Sequence, residues 1–569
     1  MKKFFYFFLF FSSITFSFSP KYEVRAVWVT TLGGMDWPRS KKMDEQKKEL
    51  IQIFDILQQR NFNTIFFQVR PRGTVLFQSQ YEPWAMELTG TFGKNPGWDP
   101  LTFAIDEAHK RGMEIHAWFN VAKVYSKNTP PNTTPQHLVL KKPEWLRYYE
   151  NEWWMDMGIP EAREYTKNLA MEIIRNYDVD GFHFDYIRYP GKDFDDEQTF
   201  QQLSDGVARD EWRRNNITEF VREMYIDITK EKPWVKIGSA PLGIYKPIAT
   251  AQFAFSSFLD ASQDSRRWLQ EKIHDYIVPQ VYWSFGEQTS PADPDFRLVS
   301  LDWLRNTYNR HVYIGVGIYK EQVLAEVEEQ ITLSRLAQSN GESFFRYENV
   351  LQMPQVYPFP ALVSPMPWKD SIPPPSPINI QTKEISASIN LIQWSVADGE
   401  KPERFVVYRA VNKEPDVNNP EHIFKILPKT QTSLYDTLKN IIGMKCYYTV
   451  TSVDRIGNES ISPTQLASLP HQQIPFLTKL MLESKPVLSQ NFPNPFSEKT
   501  YIAYQIYQKG LVELLVQNIE TKKIISVIKT TQEPGKYVVR LDGKKFVSGK
   551  YIYELRTADG IVGRAFEKN

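Results

Sequence analysis

The feature that most constrains the fold of this chain is a regular alternation of β-like runs with amphipathic helical segments. The eight β-like runs are residues 23–29, 64–70, 114–120, 181–187, 235–240, 276–283, 311–319 and 343–347. Between them, residues 44–60 carry apolar side chains at helical spacing, and residues 100–112 end on Gly112, a typical helix stop. This alternation predicts an α/β fold, a (β/α)8 barrel. An open doubly wound sheet is the alternative, but no glycine-rich phosphate turn follows the first run.

The pattern changes after Trp368. Residues 371–380 are rich in proline and predict a stiff linker. Beyond them, β-like runs with turn signals and little helix predict a small antiparallel β-sandwich, and a resemblance of the carboxyl-terminal motifs implies a second one. The predicted organisation is a signal peptide at 1–19, the barrel at 22–368, a first sandwich at 374–467 and a C-terminal sandwich at 483–569.

The amino terminus and the overall charge limit where the protein acts and what it binds. Two lysines, a short apolar run and then small polar residues are typical of a secretory signal peptide, with an uncleaved membrane anchor as the alternative. Lys+Arg total 68 against 67 Asp+Glu, so no net charge favours nucleic acid or a membrane surface. Cys446 is the single cysteine and forms no internal disulfide. We expect a secreted, cell-surface or periplasmic protein without a stable membrane span or a nucleic-acid partner.

The fourth β-like run, within "VDGFHFDYIRYP" (179–190), carries polar side chains on one face. Residues two apart in a strand share a face, so His183 and Asp185 point together while Phe182 and Phe184 point towards the covering helices. The carboxyl ends of barrel strands line the active site. We therefore predict Asp185 as a catalytic carboxyl group at the barrel mouth. The alternative is a structural carboxylate held by Arg188 or by a backbone amide.

Polar and aromatic side chains at the other strand ends and loops predict a substrate-binding mouth. With His183 these are Gln68, Arg70, Glu82, His116, Trp118, Asn120, Asp156, Gln280, Tyr282 and Trp283. Such a set suits glycoside hydrolysis, which needs one carboxylic acid and a second carboxylate. Asp264 is the first candidate for that second, catalytic carboxylate, followed by Asp156 and Glu82. A plain helix N-cap is the alternative for Asp264.

Other chemistries have weaker support in the sequence. His116 and His183 could join Asp185 in a zinc site, but there is no H-x-H on the first run and no H-E-x-x-H helix. A G-x-S-x-G elbow and a phosphate-binding G-x-x-x-x-G-K-[ST] loop are also missing from the sequence. We expect neither a metal ion nor an organic cofactor.

The motifs "EVRAVWVTT", "EIHAWFN", "DGFHFDYIRYP", "QDSRRWLQEKIHDYIVPQVYW" and "HVYIGVGIY" resemble those of glycosyl-hydrolase-like family 10, in order over about residues 22–350. The resemblance implies a TIM barrel with a carbohydrate-active site. Some relatives are associated with cleavage of peptidoglycan glycan strands stripped of their stem peptides, which makes such strands the expected substrate. The family's strand-four aspartate, "QD" aspartate and "HAWFN" asparagine match Asp185, Asp264 and Asn120. Where the family often reads "HAWFNPYR", this chain has Lys123 or no counterpart for the arginine, which puts an anion-binding role there in doubt.

Two further resemblances concern the carboxyl-terminal third. "VYRA" and "YYTVTSVDRIGNES" resemble a fibronectin type III module, which would act as a spacer. "NFPNPF" and "GKYIYEL" resemble the C-terminal sorting domain of type IX secretion substrates, which implies that secretion machinery as a partner. The whole predicts an exported glycoside hydrolase acting on a polysaccharide. A non-catalytic carbohydrate-binding surface protein and a lytic transglycosylase-type enzyme are the alternatives.

Overall fold

The computed structural model describes residues 19–126, 128–248, 254–285, 294–399, 402–438, 444–463, 486–491, 493–558 and 560–569. The predicted signal peptide, apart from Ser19, and the residues between the two predicted sandwiches lie outside these residues. The chain divides into two compact units, residues 21–480 and residues 481–569 with 1–20. No helix in the described stretches has the length and apolar character needed to cross a membrane.

Eight parallel strands form a closed barrel in the first unit. They are β1 (Val24–Val29), β2 (Thr64–Arg70), β3 (Glu114–Asn120), β4 (Gly181–Asp185), β5 (Lys236–Ser239), β6 (Tyr276–Ile277), β7 (His311–Val312 and Ile314–Val316) and β8 (Gly341–Phe344). Each strand pairs with the next along the chain, and β8 pairs with β1. All eight predicted runs are therefore barrel strands, and the predicted fold class is confirmed.

Helices cover the outside of the barrel. They are α1 (Met43–Gln59), α2 (Met86–Thr89), α3 (Pro100–Lys110), α4 (Leu138–Lys141), α5 (Pro160–Asn176), α6 (Glu197–Leu203), α7 (Arg209–Glu231), α8 (Ser265–Gln270), α9 (Phe296–Leu304), α10 (Glu321–Ala325), α11 (Val327–Leu336) and α12 (Tyr347–Val350). The predicted apolar face of α1 is buried at Leu50, Ile53, Phe54 and Leu57. Gly112 ends α3 with a left-handed φ of 70°, as the sequence predicts.

A small antiparallel sheet lies between β3 and α5 and was not predicted. Its strands are Lys123–Ser126, Leu146–Tyr149 and Glu152–Met155, with the last in the centre. We call it the mouth sheet, because the chain enters it directly from the carboxyl end of β3 and it contacts Tyr186, the residue after β4, through Trp154.

The next module is a sandwich of two three-stranded antiparallel sheets. Its strands are β9 (Ile378–Ser386), β10 (Ile389–Ser395), β11 (Arg404–Val411), β12 (Ile423–Pro428), β13 (Ser433–Thr437) and β14 (Cys446–Val453). Trp394 of one sheet packs on Phe405 of the other. The predicted linker 371–380 is shorter than expected, because its last three residues belong to β9.

This module packs on the amino-terminal end of the barrel and is not a free spacer. Arg404 at the start of β11 lies 3.4 Å from Glu114, the first residue of β3, and 3.5 Å from Asp180, the residue before β4. Arg455 pairs with Asp178 at 2.6 Å. Because these contacts lie at the strand starts, the module occupies the end of the barrel opposite the predicted active site.

The second unit is a separate β-sandwich. Its strands are β15 (Val487–Leu488), β16 (Lys499–Ile506), β17 (Gly510–Asn518), β18 (Ile524–Gln532), β19 (Gly535–Asp542), β20 (Gly549–Thr557) and β21 (Gly560–Lys568). A three-stranded and a four-stranded antiparallel sheet share one apolar core that includes Ile502, Tyr504, Val516 and Tyr553. Two small all-β sandwiches therefore follow the barrel, as predicted.

Candidate active site

The end of β4 places Asp185 at the barrel mouth. Phe182 and Phe184 pack outward, Phe184 against Phe220 of α7, while His183 and Asp185 face the interior. The next residue, Tyr186, has a left-handed φ of 49°. Such a conformation is costly for a bulky residue with a Cβ and is enriched at functional sites. It turns the chain sharply and lets the Tyr186 amide donate to Asp185 Oδ1 at 2.7 Å.

A cavity of about 170 Å³ opens over Asp185 at the carboxyl ends of the strands. Its lining comes from all around the barrel: Trp28, Thr30, Leu32, Met35, Gln68, Arg72, Trp118, Asn120, Asp185, Tyr186, Arg188, Ala240, Gln280, Tyr282 and Phe345. Asp185 is the only carboxylic acid among these described residues. One wall is aromatic, with the Phe345 ring 5.7 to 6.5 Å from those of Trp28, Trp118 and Tyr282. An aromatic wall beside converging polar side chains suits a site for a small polar ligand.

Burial controls the acidity of Asp185. The side chain is 9% exposed, and its Oδ2 accepts a hydrogen bond from Trp118 Nε1 at 3.1 Å. Loss of water around the carboxyl group raises its pKa to about 6, although the Tyr186 amide, Arg188 and Trp118 act in the opposite direction. Near neutral pH Asp185 can therefore be protonated, as a general acid must be, or ionised, as a nucleophile must be.

His183 does not reach the cavity but belongs to a buried hydrogen-bond chain beneath it. Trp28 Nε1 donates to His183 Nε2 at 3.1 Å, so the neutral ring carries its proton on Nδ1, which faces Tyr276 Oη at 3.2 Å. Tyr276 Oη then lies 2.8 Å from His116 Nδ1, and His116 Nε2 lies 3.4 Å from Glu114. Burial, with nearby His116, holds the pKa of His183 well below its ordinary value. Both predicted substrate-binding histidines therefore stabilise the barrel interior.

Five predicted binding residues do line the cavity: Gln68, Trp118, Asn120, Gln280 and Tyr282. Gln68 Oε1 accepts from the amides of the β1 loop, and Gln280 Nε2 donates to a backbone carbonyl of the β5 loop. Asn120 lies beside Asp185 in register and donates through Nδ2 to Pro71 O at 2.7 Å. Its buried Oδ1 has no hydrogen-bond partner among the described residues. It is an acceptor available to a ligand hydroxyl or amide.

Arg70 and Glu82 are absent from this lining. A register irregularity between Gln68 and Arg70 interrupts the strict alternation on which the prediction for Arg70 rested. Arg70 is fully buried and forms two hydrogen bonds to the Glu82 carboxylate, at 2.6 and 2.8 Å. It also donates to the carbonyls of Asn120 and Val121. This ion pair supports the cavity floor, so neither residue is left to bind substrate.

The other two candidates for the second carboxylate also lie away from the cavity. Asp264 occupies the N-cap position of α8 without bonding a backbone amide, and its Oδ1 accepts from Tyr245 Oη at 2.6 Å in a separate surface pocket. Asp156 is buried between Thr199, which donates at 2.6 Å, and Arg147 at 3.1 Å. Trp283, predicted to bind substrate, instead lies against Gly243.

Sequence reasoning considered Arg188 and Lys123 in other connections and did not predict the basic residues at the mouth as substrate-binding residues. Arg72 follows β2 and Arg188 follows β4, and both line the cavity. Lys123 in the mouth sheet lies 4.9 Å from the Tyr186 ring and pairs with Glu152 at 2.5 Å. The signal was present in the sequence, since the loops after barrel strands contain "RPRG" and "YIRYP".

The donor set at the mouth does not suggest a metal site. The ring nitrogens of His116 and His183 are engaged by Tyr276, Trp28 and Glu114. Across the ranges that the structure describes, no three histidine, cysteine or acidic side chains are grouped as metal ligands.

Comparison with known proteins relates this chain to glycosyl hydrolases. The family model described as "Glycosyl hydrolase-like 10" matches residues 23–332. Glycosyl hydrolase YngK of Bacillus subtilis is 33% identical over 480 residues, covering 77% of this chain and 92% of that protein. Glycosyl hydrolase DigH of Escherichia coli K12 is 33% identical over 333 residues, covering 54% and 75%. The PgaB glycoside hydrolase domain of Bordetella bronchiseptica, a solved structure, matches at TM-score 0.42 and 11% identity, over 59% of this chain and 97% of that one. The chain belongs to the glycosyl hydrolase-like 10 family.

Proposed function

We propose that this protein hydrolyses glycosidic bonds and that Asp185 is its catalytic carboxyl group. The observation that carries the proposal is a single buried carboxyl group with a pKa of about 6, at the carboxyl ends of the barrel strands, beside an aromatic wall. Sugar rings dock on flat aromatic surfaces. In this position Asp185 acts either as the acid that protonates the leaving oxygen or as the group that attacks the anomeric carbon.

We further propose that the substrate is the peptidoglycan glycan strand stripped of its stem peptides. Support comes from the resemblance of the barrel motifs to family 10 relatives associated with such strands. Three more side chains position the sugar: Asn120 through its unpartnered Oδ1, and Gln280 and Tyr282 from the opposite side of the cavity.

Incubation of the purified protein with denuded glycan strands tests this function. Hydrolysis is expected to release new reducing ends, and mass spectrometry should show one water added for each bond cleaved. Anhydro ends would indicate transglycosylase-type cleavage instead. Binding of the strands with no new ends, at any pH from 4 to 8, would contradict an enzymatic role and support a carbohydrate-binding protein.

We also propose export to the cell surface, directed by the signal peptide at residues 1–19 and a type IX sorting domain at 483–569. The sequence patterns support both, and a β-sandwich at the carboxyl terminus suits the second. In the native host, the mature protein is expected to begin near residue 20. Deletion of residues 483–569 is expected to retain the protein in the periplasm; unchanged surface delivery would contradict the sorting role.

A further inference from the structure

Arg188 is a largely buried cation beside Asp185 that has no carboxylate partner. Its guanidinium lies 5.4 Å from the ring centroid of Trp154 and 5.3 Å from that of Tyr186. Nη1 donates to the carbonyl of Tyr189 at 3.2 Å. No ion pair joins Arg188 to any residue within the described parts of the chain, and its side chain lines the cavity. The remaining N–H groups are therefore available to a ligand.

The arginines of the barrel that are fully buried behave differently. Each has a carboxylate within hydrogen-bond distance: Arg25 with Glu23 at 2.7 Å, Arg70 with Glu82 at 2.6 Å and Arg213 with Asp196 at 2.6 Å. A cation removed from water without such a partner is expensive. Stacking on aromatic rings recovers only about 1–2 kcal/mol. An anion bound in the cavity would supply the negatively charged partner that Arg188 lacks within the fold.

The charges around Arg188 also favour the binding of an anion. Arg72 and Lys123 share one carboxylate, Glu152, at 3.1 and 2.5 Å. Three cations at the mouth therefore face the carboxyl groups of Glu152 and Asp185, and that of Asp185 is partly protonated near pH 6. Basic side chains therefore outnumber acidic ones at the mouth by three to two, although the whole chain has a net charge of only +1.

We propose that Arg188, assisted by Arg72 and Lys123, forms a subsite for a carboxylate carried by the sugar that binds next to Asp185. The guanidinium fork matches a carboxylate through two parallel hydrogen bonds, and Trp154 and Tyr186 fix its plane. Two acidic sugars have this chemistry, a hexosamine bearing a lactyl ether, as in peptidoglycan, and a uronic acid. The inference rests on the proposed glycosidase function and defines its substrate as acidic.

Carboxyl reduction of the substrate tests the subsite. On denuded glycan strands, Arg188→Gln is expected to lower kcat/KM about 10- to 100-fold, because a hydrogen bond to a charged group is lost. On the same strands with their lactyl carboxylates reduced to alcohols, wild type and variant should agree within about threefold. The matched control is Arg175→Gln, at an exposed side chain of α5. It should behave as wild type on native and on reduced strands. Oligouronides form a third arm, and their preferential cleavage would assign the carboxylate to a uronic acid.

Two results would overturn the subsite while leaving the glycosidase intact. One is equal wild-type kcat/KM on native and reduced strands; the other is the same loss in Arg188→Gln on both. If wild type cleaves nothing, the glycosidase proposal fails, and calorimetry with short native and reduced glycan fragments decides the subsite. Tighter, salt-sensitive binding of the native fragment, lost in Arg188→Gln, would support it, and equal binding would refute it. Unchanged thermal unfolding of the variant separates these outcomes from misfolding.

Discussion

At the scale of single residues, the chemistry of this protein concentrates on Asp185. It is the only carboxylic acid among the described residues that line the cavity, and it is buried against Trp118. Asp264 matches a family motif equally well but bonds Tyr245 in a separate pocket. The two aspartates should therefore respond very differently to the same conservative substitution.

Replacement of Asp185 by asparagine should remove activity and keep binding. We expect kcat on denuded glycan to fall about 10²- to 10⁴-fold, because the amide neither donates a proton nor attacks the sugar. Glycan affinity should change little, since Asn is nearly isosteric. Asp264→Asn should keep kcat within about threefold of wild type. The control, Asp227→Asn at a half-exposed side chain of α7, should do the same. Loss of activity in Asp264→Asn would restore it as the second catalytic carboxylate.

The pH dependence of kcat/KM distinguishes the two roles of Asp185. Its pKa of about 6 places the transition within an accessible range. A general acid must be protonated, so the rate would fall as pH rises through about 6; a nucleophile must be ionised, so the rate would rise there. A profile flat from pH 5 to 7 would contradict both assignments.

The same burial makes Asp185 a source of pH-dependent instability. Its pKa is higher in the folded chain than its ordinary 3.8, so the folded state binds the proton more tightly and loses stability as pH rises from about 4 to 6. A difference of this size corresponds to about 3 kcal/mol. Asp185→Asn should therefore unfold at higher urea than wild type at pH 8, by about 1–3 kcal/mol, and not at pH 4. Parallel stability curves for the two proteins would contradict this.

At the scale of elements, the five residues of β4 connect the cavity at the barrel mouth with the buried hydrogen bonds of the barrel interior. Its last residue, Asp185, lines the cavity. His183, two residues earlier on the same face, is hydrogen-bonded through Tyr276 to His116 on β3. Tyr276 Oη lies within hydrogen-bond distance of both imidazoles, so the hydroxyl connects β3, β4 and β6 inside the barrel.

Removal of that hydroxyl should destabilise the barrel without altering its chemistry. Tyr276→Phe leaves a buried nitrogen on each imidazole without its partner, and we expect a loss of about 1–3 kcal/mol in the free energy of unfolding. Urea unfolding followed by tryptophan fluorescence measures it. Tyr148→Phe, at a half-exposed tyrosine of the mouth sheet, is the control. The pH profile of kcat/KM should keep its shape. A shifted profile would show that these buried hydrogen bonds also affect the pKa of Asp185.

At the scale of the whole molecule, the first small sandwich closes the bottom of the barrel. Arg404 is 6% exposed and lies between Glu114 and Asp180, while Lys236 also binds Glu114 at 2.6 Å. These charges lie at the strand starts, where barrel residues generally serve stability and not catalysis. The module and the barrel within residues 21–480 should therefore unfold together.

Substitution of Arg404 tests this coupling. Arg404→Met leaves two buried carboxylates with fewer partners, and we expect a loss of about 3 kcal/mol and a separate, earlier unfolding of the sandwich. Calorimetry would resolve the two transitions. Lys429→Met, at a half-exposed lysine paired with Glu403, should retain a single transition. A single, unshifted transition in Arg404→Met would show that the interface contributes little.

The sequence by itself determined the architecture, because strands and helices follow from local periodicity. All eight barrel strands and the inward face of Asp185 were predicted correctly, since side chains alternate strictly along a strand. The same rule could not say how high in the barrel each inward residue lies. His183 and His116 were predicted as ligands of the sugar but are bonded to Tyr276 below the cavity.

Only the tertiary structure decided which charges remain available at the mouth. Arg70 pairs with Glu82, and Asp156 binds Thr199 and Arg147. Asp264 accepts a hydrogen bond from Tyr245. Arg188, in contrast, pairs with no carboxylate among the described residues. Pairing of this kind depends on how loops from distant parts of the chain meet, which local patterns do not encode. Periodicity therefore fixed the barrel and the position of Asp185, and long-range packing of the loops selected the polar groups that are free to act beside it.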